Sequence, residues 1–192
     1  MSEPSEPRSP TRLAGAGPQV EVDDDQSDHP LDPTRWAHLA QAALVHQGIT
    51  AGELTVSFVD ETTIAELNAA HMGVDGPTDV LSFPLDADGD DASADADADA
   101  NAEGGGVPVL LGDVVICPAV AARTAPTRLT TDPHPGHPDH DGTLDAELAL
   151  LVVHGVLHVC GHDHAEDSER EAMWAAEAAI LTTSTGPERS DR

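Results

Sequence analysis

Four histidines fall within eleven residues of this 192-residue chain, in the segment His154-Gly-Val-Leu-His158-Val-Cys-Gly161-His162-Asp163-His164. The segment opens inside an apolar run beginning at Leu148, where imidazoles need polar partners if they are to be buried. His154 and His158 are four apart, so on a helix their rings emerge from the same side, about one turn from each other. Two imidazole nitrogens placed in this way can reach one ion at about 2.0–2.1 Å. Gly161 permits the turn that ends such a helix and lets the chain swing back with His164. Three neutral imidazoles leave a position open for water, the catalytic rather than the structural arrangement of zinc. Zinc is therefore the expected cofactor, one ion per chain, although imidazole also suits nickel, copper and iron. His162 and Asp163 flank the third histidine; each is a candidate to orient a ligand or shuttle a proton, or simply to stabilise the turn.

With Gly161 included, the spacing matches the metal-binding skeleton of metzincin proteases, H-x-x-x-H-x-x-G-x-x-H. In those enzymes the residue after the first histidine is a glutamate that serves as general base. Here it is Gly155, which can take no proton, so a peptidase would need its base from elsewhere.

The elements that must position this cluster alternate irregularly. Gln19–Val22 reads as a first strand. Asp32 before Pro33 reads as a helix start, with Trp36, Leu39, Ala40, Ala43 and Leu44 on the inner face. Glu53–Val59 alternates as a half-buried strand, and Asp60 caps a helix carrying Ile64 and Leu67. Thr78–Pro84 and Val107–Ile116 are strands. Leu144–Val159 is the histidine helix, and Asp167–Leu181 a last amphipathic helix with Met173 and Trp174 on its buried side. The fold class expected is α+β: a small mixed sheet of about four strands packed with helices.

One domain is expected over residues 19–184, between a disordered tail at 1–18 and a C-terminal tail at 185–192. It carries an acidic insertion at 86–106 and a Pro/His-rich loop at 126–142. Asp86, Asp88 and Asp90 mimic the start of a calcium loop. Gly89 and Asp97 stand at the wrong positions for one, so a hydrated loop is expected. His134, His137 and His140 recur among prolines and read as a solvent-exposed linker. Cys160 reads as a small buried thiol with a redox role as the alternative.

Charge bounds the partners. The 36 Asp and Glu outnumber 8 basic residues, all of them arginine, for a net charge of −28. Half of that excess lies in residues 1–32 and 86–103. A large basic surface is impossible, and 2% aromatic content leaves few rings on which bases could stack. Two cysteines make no disulfide framework. The N-terminus has no apolar run, and the Leu148–Cys160 stretch is too short to span a bilayer, so a cytoplasmic location is expected.

HGVLHVCGHDH, GPTDVLSFP (Gly76–Pro84) and LGDVVICP (Leu111–Pro118) resemble, in order and spacing, the signature blocks of the YbeY family, bacterial rRNA maturation factors described as single-strand-specific metallo-endoribonucleases. The resemblance runs from about residue 19 to about 181 and misses the tail and both loops. It implies a small sheet with helices packed around it and the metal-binding helix at the floor of a cleft, zinc ligands at His154, His158 and His164, and a role in 16S rRNA 3′-end maturation and late ribosome quality control. The partners implied are rRNA and the small ribosomal subunit, reached through a ribosomal protein, with no membrane and no DNA. A family arginine thought to help position RNA phosphate aligns with Met72. That leaves the metal, with Arg123 or Arg128 as candidates, to stabilise phosphoryl charge; for both arginines ordinary surface contacts are the expectation. Thr78, Asp79 and Ser82 could line the cleft, or Asp79 could only cap a turn. Asp113, an acid inside an apolar strand, should have a partner, either a ligand histidine or a backbone amide. Two rival readings stay open: another zinc hydrolase of peptidase or amidase type, and a non-enzymatic assembly factor with a structural metal.

Overall fold

The computed structural model describes residues 9–13, 17–85, 109–163 and 166–184. The acidic insertion with its calcium-loop pattern, the segment 185–192 and His164 lie outside the described residues.

Five strands form one mixed sheet in the order β1-β2-β3-β5-β4: β1 Thr11–Arg12, β2 Gln19–Asp24, β3 Glu53–Phe58, β4 Val80–Pro84 and β5 Leu110–Ile116. The central β2, β3 and β5 run parallel, while β1 and β4 close the edges antiparallel. β1 falls within the stretch expected to be a disordered tail. Thr11 and Arg12 pair with Val22 and Glu21, and the Arg12 guanidinium bridges Glu21 and Glu53. Two residues are too few to show a period, so sequence alone has no means of finding this strand.

Local signals set the helix starts. Asp32 accepts the Thr34 N–H ahead of α1 (Pro33–His46), and Asp60 accepts the Thr63 N–H ahead of α2 (Glu61–Leu67). The chain leaves α2 through a π turn at Asn68–Met72, and α3 spans Pro118–Thr124. Thr143 caps α4 (Leu144–Val159), and α5 spans Asp167–Ser184.

Alternation in the strands sends Val20, Val22, Leu54, Val56, Phe58, Val114 and Ile116 to one face of the sheet, against Trp36 and Leu44 of α1 and Leu148, Val152 and Val156 of α4. α5 lays Met173, Ile180 and Leu181 over that same core. The opposite face carries a smaller cluster of Leu81, Val115 and Cys117 with Val59 and Ile64. α4 is therefore covered on nearly every side, as its largely apolar composition implies. Among the described residues, no helix is long and apolar enough to cross a membrane.

The Pro/His-rich loop corrects the expectation of a solvent-exposed linker. His140 is buried, with its Nδ1 accepting the Gly142 N–H at 3.0 Å and its Nε2 2.9 Å from Glu147 Oε2. Glu147 is fully buried on the first turn of α4 and receives the Arg128 guanidinium through Nε and Nη2. Arg128 therefore does not make the surface contact expected of it. Burial works against its charge, but Glu147 outweighs that and its pKa ends above the ordinary value. An apolar residue at 147 would have announced a core position; a glutamate looks like helix-start solvent decoration until its partners are seen.

Replacing Arg128 with Ala leaves Glu147 buried without its main counter-charge, and should destabilise the fold by about 3–5 kcal/mol in urea denaturation. Replacing both partners, Arg128→Met with Glu147→Leu, should recover most of that loss. A single Arg128→Ala loss under 1 kcal/mol would mean that water reaches the pair.

Candidate metal centre

α4 presents its two histidines as their spacing requires. His154 Nε2 and His158 Nε2 lie 3.1 Å apart, with the rings edge to face at 4.6 Å between centroids. Two nitrogens on one tetrahedral ion at about 2.0–2.1 Å would stand roughly 3.3 Å apart, so this convergence fits a shared ion with little adjustment. His154 Nδ1 lies 2.8 Å from Glu177 Oε1 on α5. A carboxylate oxygen accepts, so the imidazole proton sits on Nδ1 and the Nε2 lone pair faces His158. The donor set, neutral imidazole backed by carboxylate, suits zinc. Among the described residues, no group of three His, Cys, Asp or Glu side chains that could hold an ion is gathered; His164 lies outside them.

The two imidazoles open onto a cleft of about 560 Å³. Met72, Val80, Leu81, Ser82 and Pro84 form one wall; His154, His158, Gly161, His162 and Asp163 form the other side and the floor. Edge strand β4 thus runs beside the histidine helix. The closeness of that approach is set at Gly155. A Cβ built there would lie 2.4 Å from Val114 Cγ1 and 3.2 Å from Ser82 Oγ. The position next to His154 therefore faces the sheet, and a glutamate side chain there would enter the core rather than the cleft. The peptidase reading thus has neither its base nor room for one at this position.

The remaining candidates divide. Ser82 and Asp163 line the cleft with the histidines. His162 also borders it, but its Nε2 is 2.8 Å from Gln47 Oε1, tying the end of α4 to the end of α1. Asp79 Oδ1 accepts from Val80 N at 3.0 Å and from Thr78 Oγ1 at 3.3 Å, so Thr78 and Asp79 build the turn into β4. Asp113 shares the face of β5 that carries Val115 and Cys117, away from α4, and so meets neither His154 nor His158. Met72 is half exposed on the cleft wall, beside His71, whose ring packs edge-on against Phe83 at 5.0 Å. Arg123 is held at the surface by Glu61, through paired hydrogen bonds of 2.7 and 2.8 Å. Burial raises the thiol pKa of both Cys160 and Cys117, which keeps them protonated and disfavours the redox alternative.

Glu177 is the residue that sequence reasoning missed. Its signal was present: Met173, Glu177, Ile180 and Leu181 form the buried stripe of α5, and an acid on that stripe demands a partner. Trp174, expected on that stripe, is only partly buried, with Arg170 over its ring at 5.5 Å.

A sequence profile described as Endoribonuclease YbeY matches residues 21–185. Endoribonuclease YbeY of Salinispora tropica is 42% identical over 159 residues, covering 82% of this chain and 91% of that one. The chain belongs to the YbeY family. The Endoribonuclease YbeY of a Nocardioides species is 40% identical over 157 residues, covering 81% of this chain and 91% of the relative. A solution structure of a Thermotoga maritima protein aligns at 20% identity and a TM-score of 0.44, over 90% of this chain and 99% of that chain. The YbeY profile contains every cleft residue named above, and its start at residue 21 leaves β1 outside the matched region.

Gly155→Ala separates a packing constraint from a merely tolerated glycine. At an exposed helix site alanine would stabilise by up to about 1 kcal/mol. Against Val114 it should instead destabilise by about 1–3 kcal/mol in urea denaturation.

Proposed function

We propose that this chain is a zinc-dependent endoribonuclease that cleaves single-stranded RNA, with the 3′ end of 16S rRNA as substrate and late small-subunit quality control as its setting. The convergence of His154 and His158 within a cleft, in a chain that belongs to the YbeY family, is the observation that carries this reading. His154, His158 and His164 are the residues that would hold the ion. When bound, zinc supplies Lewis acidity toward a phosphodiester oxygen and lowers the pKa of water. The chain's own residues do the rest. Glu177 accepts a hydrogen bond from His154 Nδ1, Gln47 holds the His162 ring at the end of α4, and Ser82 offers a hydroxyl to a strand lying along β4.

Charge shapes how RNA arrives. Every described arginine sits in an ion pair: Arg12 with Glu21 and Glu53, Arg35 with Asp145, Arg123 with Glu61, Arg128 with Glu147 and Asp132, and Arg170 with Asp167. None of them lines the cleft. In our reading the acidic chain works in the cytoplasm and reaches rRNA by docking on a ribosomal protein, without membrane or DNA partners. Its own field repels a polyanion, so salt should screen that repulsion rather than weaken an attraction.

The test incubates purified protein of known zinc content with small-subunit rRNA precursor, alongside His158→Ala and chelator-treated protein. Cleavage by the wild type alone supports the reading; cleavage in all three arms points to a contaminating nuclease and removes it. RNA affinity of the isolated protein should be weak and should hold or rise between 50 and 200 mM salt, where a protein making 6–10 phosphate contacts would lose about 10³–10⁵-fold. Such a loss would place unpaired cations at the RNA.

A further inference from the structure

Behind His154 lies a carboxylate that the metal-binding pattern does not contain. Glu177 is fully buried, and its Oε1 holds His154 Nδ1 at 2.8 Å. Its other oxygen, Oε2, has no hydrogen-bond donor among the described residues. The nearest candidate, His134 Nδ1, is 3.6 Å away and already accepts the Gly136 N–H at 3.1 Å. Gly136 roofs the carboxylate: a Cβ built on it would fall 1.8 Å from Glu177 Oε2 and 2.9 Å from Glu177 Cβ. The Pro/His-rich loop therefore seals this acid from water at a position where only glycine fits.

A buried carboxylate with one oxygen unsatisfied is costly, and a leucine at 177 would join Met173, Ile180 and Leu181 without that cost. Among the described residues, the hydrogen bond that Glu177 makes is to the back of an imidazole whose front nitrogen meets His158. We propose that Glu177 is a positioning residue for the metal, and that loop 126–142, through Gly136, is the cover that holds its carboxylate dry against His154. The inference rests on the reading that these histidines hold an ion. Accepting the Nδ1–H fixes the His154 tautomer and ring rotation, so that the Nε2 lone pair points where His158 Nε2 also reaches. With no second hydrogen-bond donor to share it among the described residues, the carboxylate's charge acts through the ring and strengthens Nε2 as a ligand.

The experiment measures zinc affinity by chelator competition on the full chain, with melting of the metal-free and zinc-loaded forms. Glu177→Gln keeps an acceptor but loses the charge and should bind zinc about 10-fold more weakly; Glu177→Leu loses both and should approach 100-fold. Metal-free Glu177→Leu should melt no lower than wild type, and long-range ¹⁵N spectra should show His154 losing its single Nδ1–H tautomer. Gly136→Ala should weaken zinc in the wild-type background and not in Glu177→Leu, because its effect runs through the carboxylate. If Glu177→Leu fails to fold, Glu177→Gln carries the comparison. Wild type and Glu177→Gln with equal zinc affinity would overturn this inference alone. A wild type that does not bind zinc would overturn the metal reading and this inference with it.

Discussion

Helix α4 is buried on nearly every side, and every polar group it carries inward must find its partner within the protein. That constraint organises the molecule. At its N-terminal turn Glu147 is met by Arg128 and His140. In its last turns His154 is met by Glu177 and by His158. Between these groups the helix is apolar, and at Gly155 it lies so close to the Val114 side chain of β5 that it has no room for one of its own. The loop at 126–142 and helix α5 supply the partners, so segments far apart in sequence are held to one helix by its need for polar satisfaction.

The same constraint separates the site's two faces. The front of the histidine pair opens to a cleft walled by β4, where a substrate can enter. The back is dry, closed by α5 and by the backbone of Gly136. His154, between an open front and a dry back, is held by its rear hydrogen bond to Glu177, which leaves its Nε2 facing the cleft. The described arginines are already engaged by carboxylates, and none of them lines the cleft.

Much of the scaffold was readable beforehand because it depends on short-range physics. The caps at Asp32 and Asp60, the alternation in β3 and the i,i+4 pair on α4 are all set within a few residues. What escaped were pairings between distant residues. β1 is too short for a pattern and exists only because β2 offers an open edge. The loop histidines looked exposed because prolines and aspartates surround them, yet His140 is fixed by a glutamate seven residues on, across the start of a helix. Asp113 drew attention as an acid in an apolar strand, but strand parity turns it away from α4.

By itself the sequence determined the i,i+4 histidine pair, the helix that carries it, the α+β class and the strongly acidic balance, since each follows from residue type and spacing. Tertiary structure alone decided that Glu177 stands behind His154, that Gly155 is a packing necessity rather than a lost base, and that a Pro/His-rich loop covers Glu177. These are facts about which surfaces meet. A carboxylate on a helix has the same local preferences whether it faces water or an imidazole; only the packing of α5 and loop 126–142 onto α4 removes the water and makes the difference.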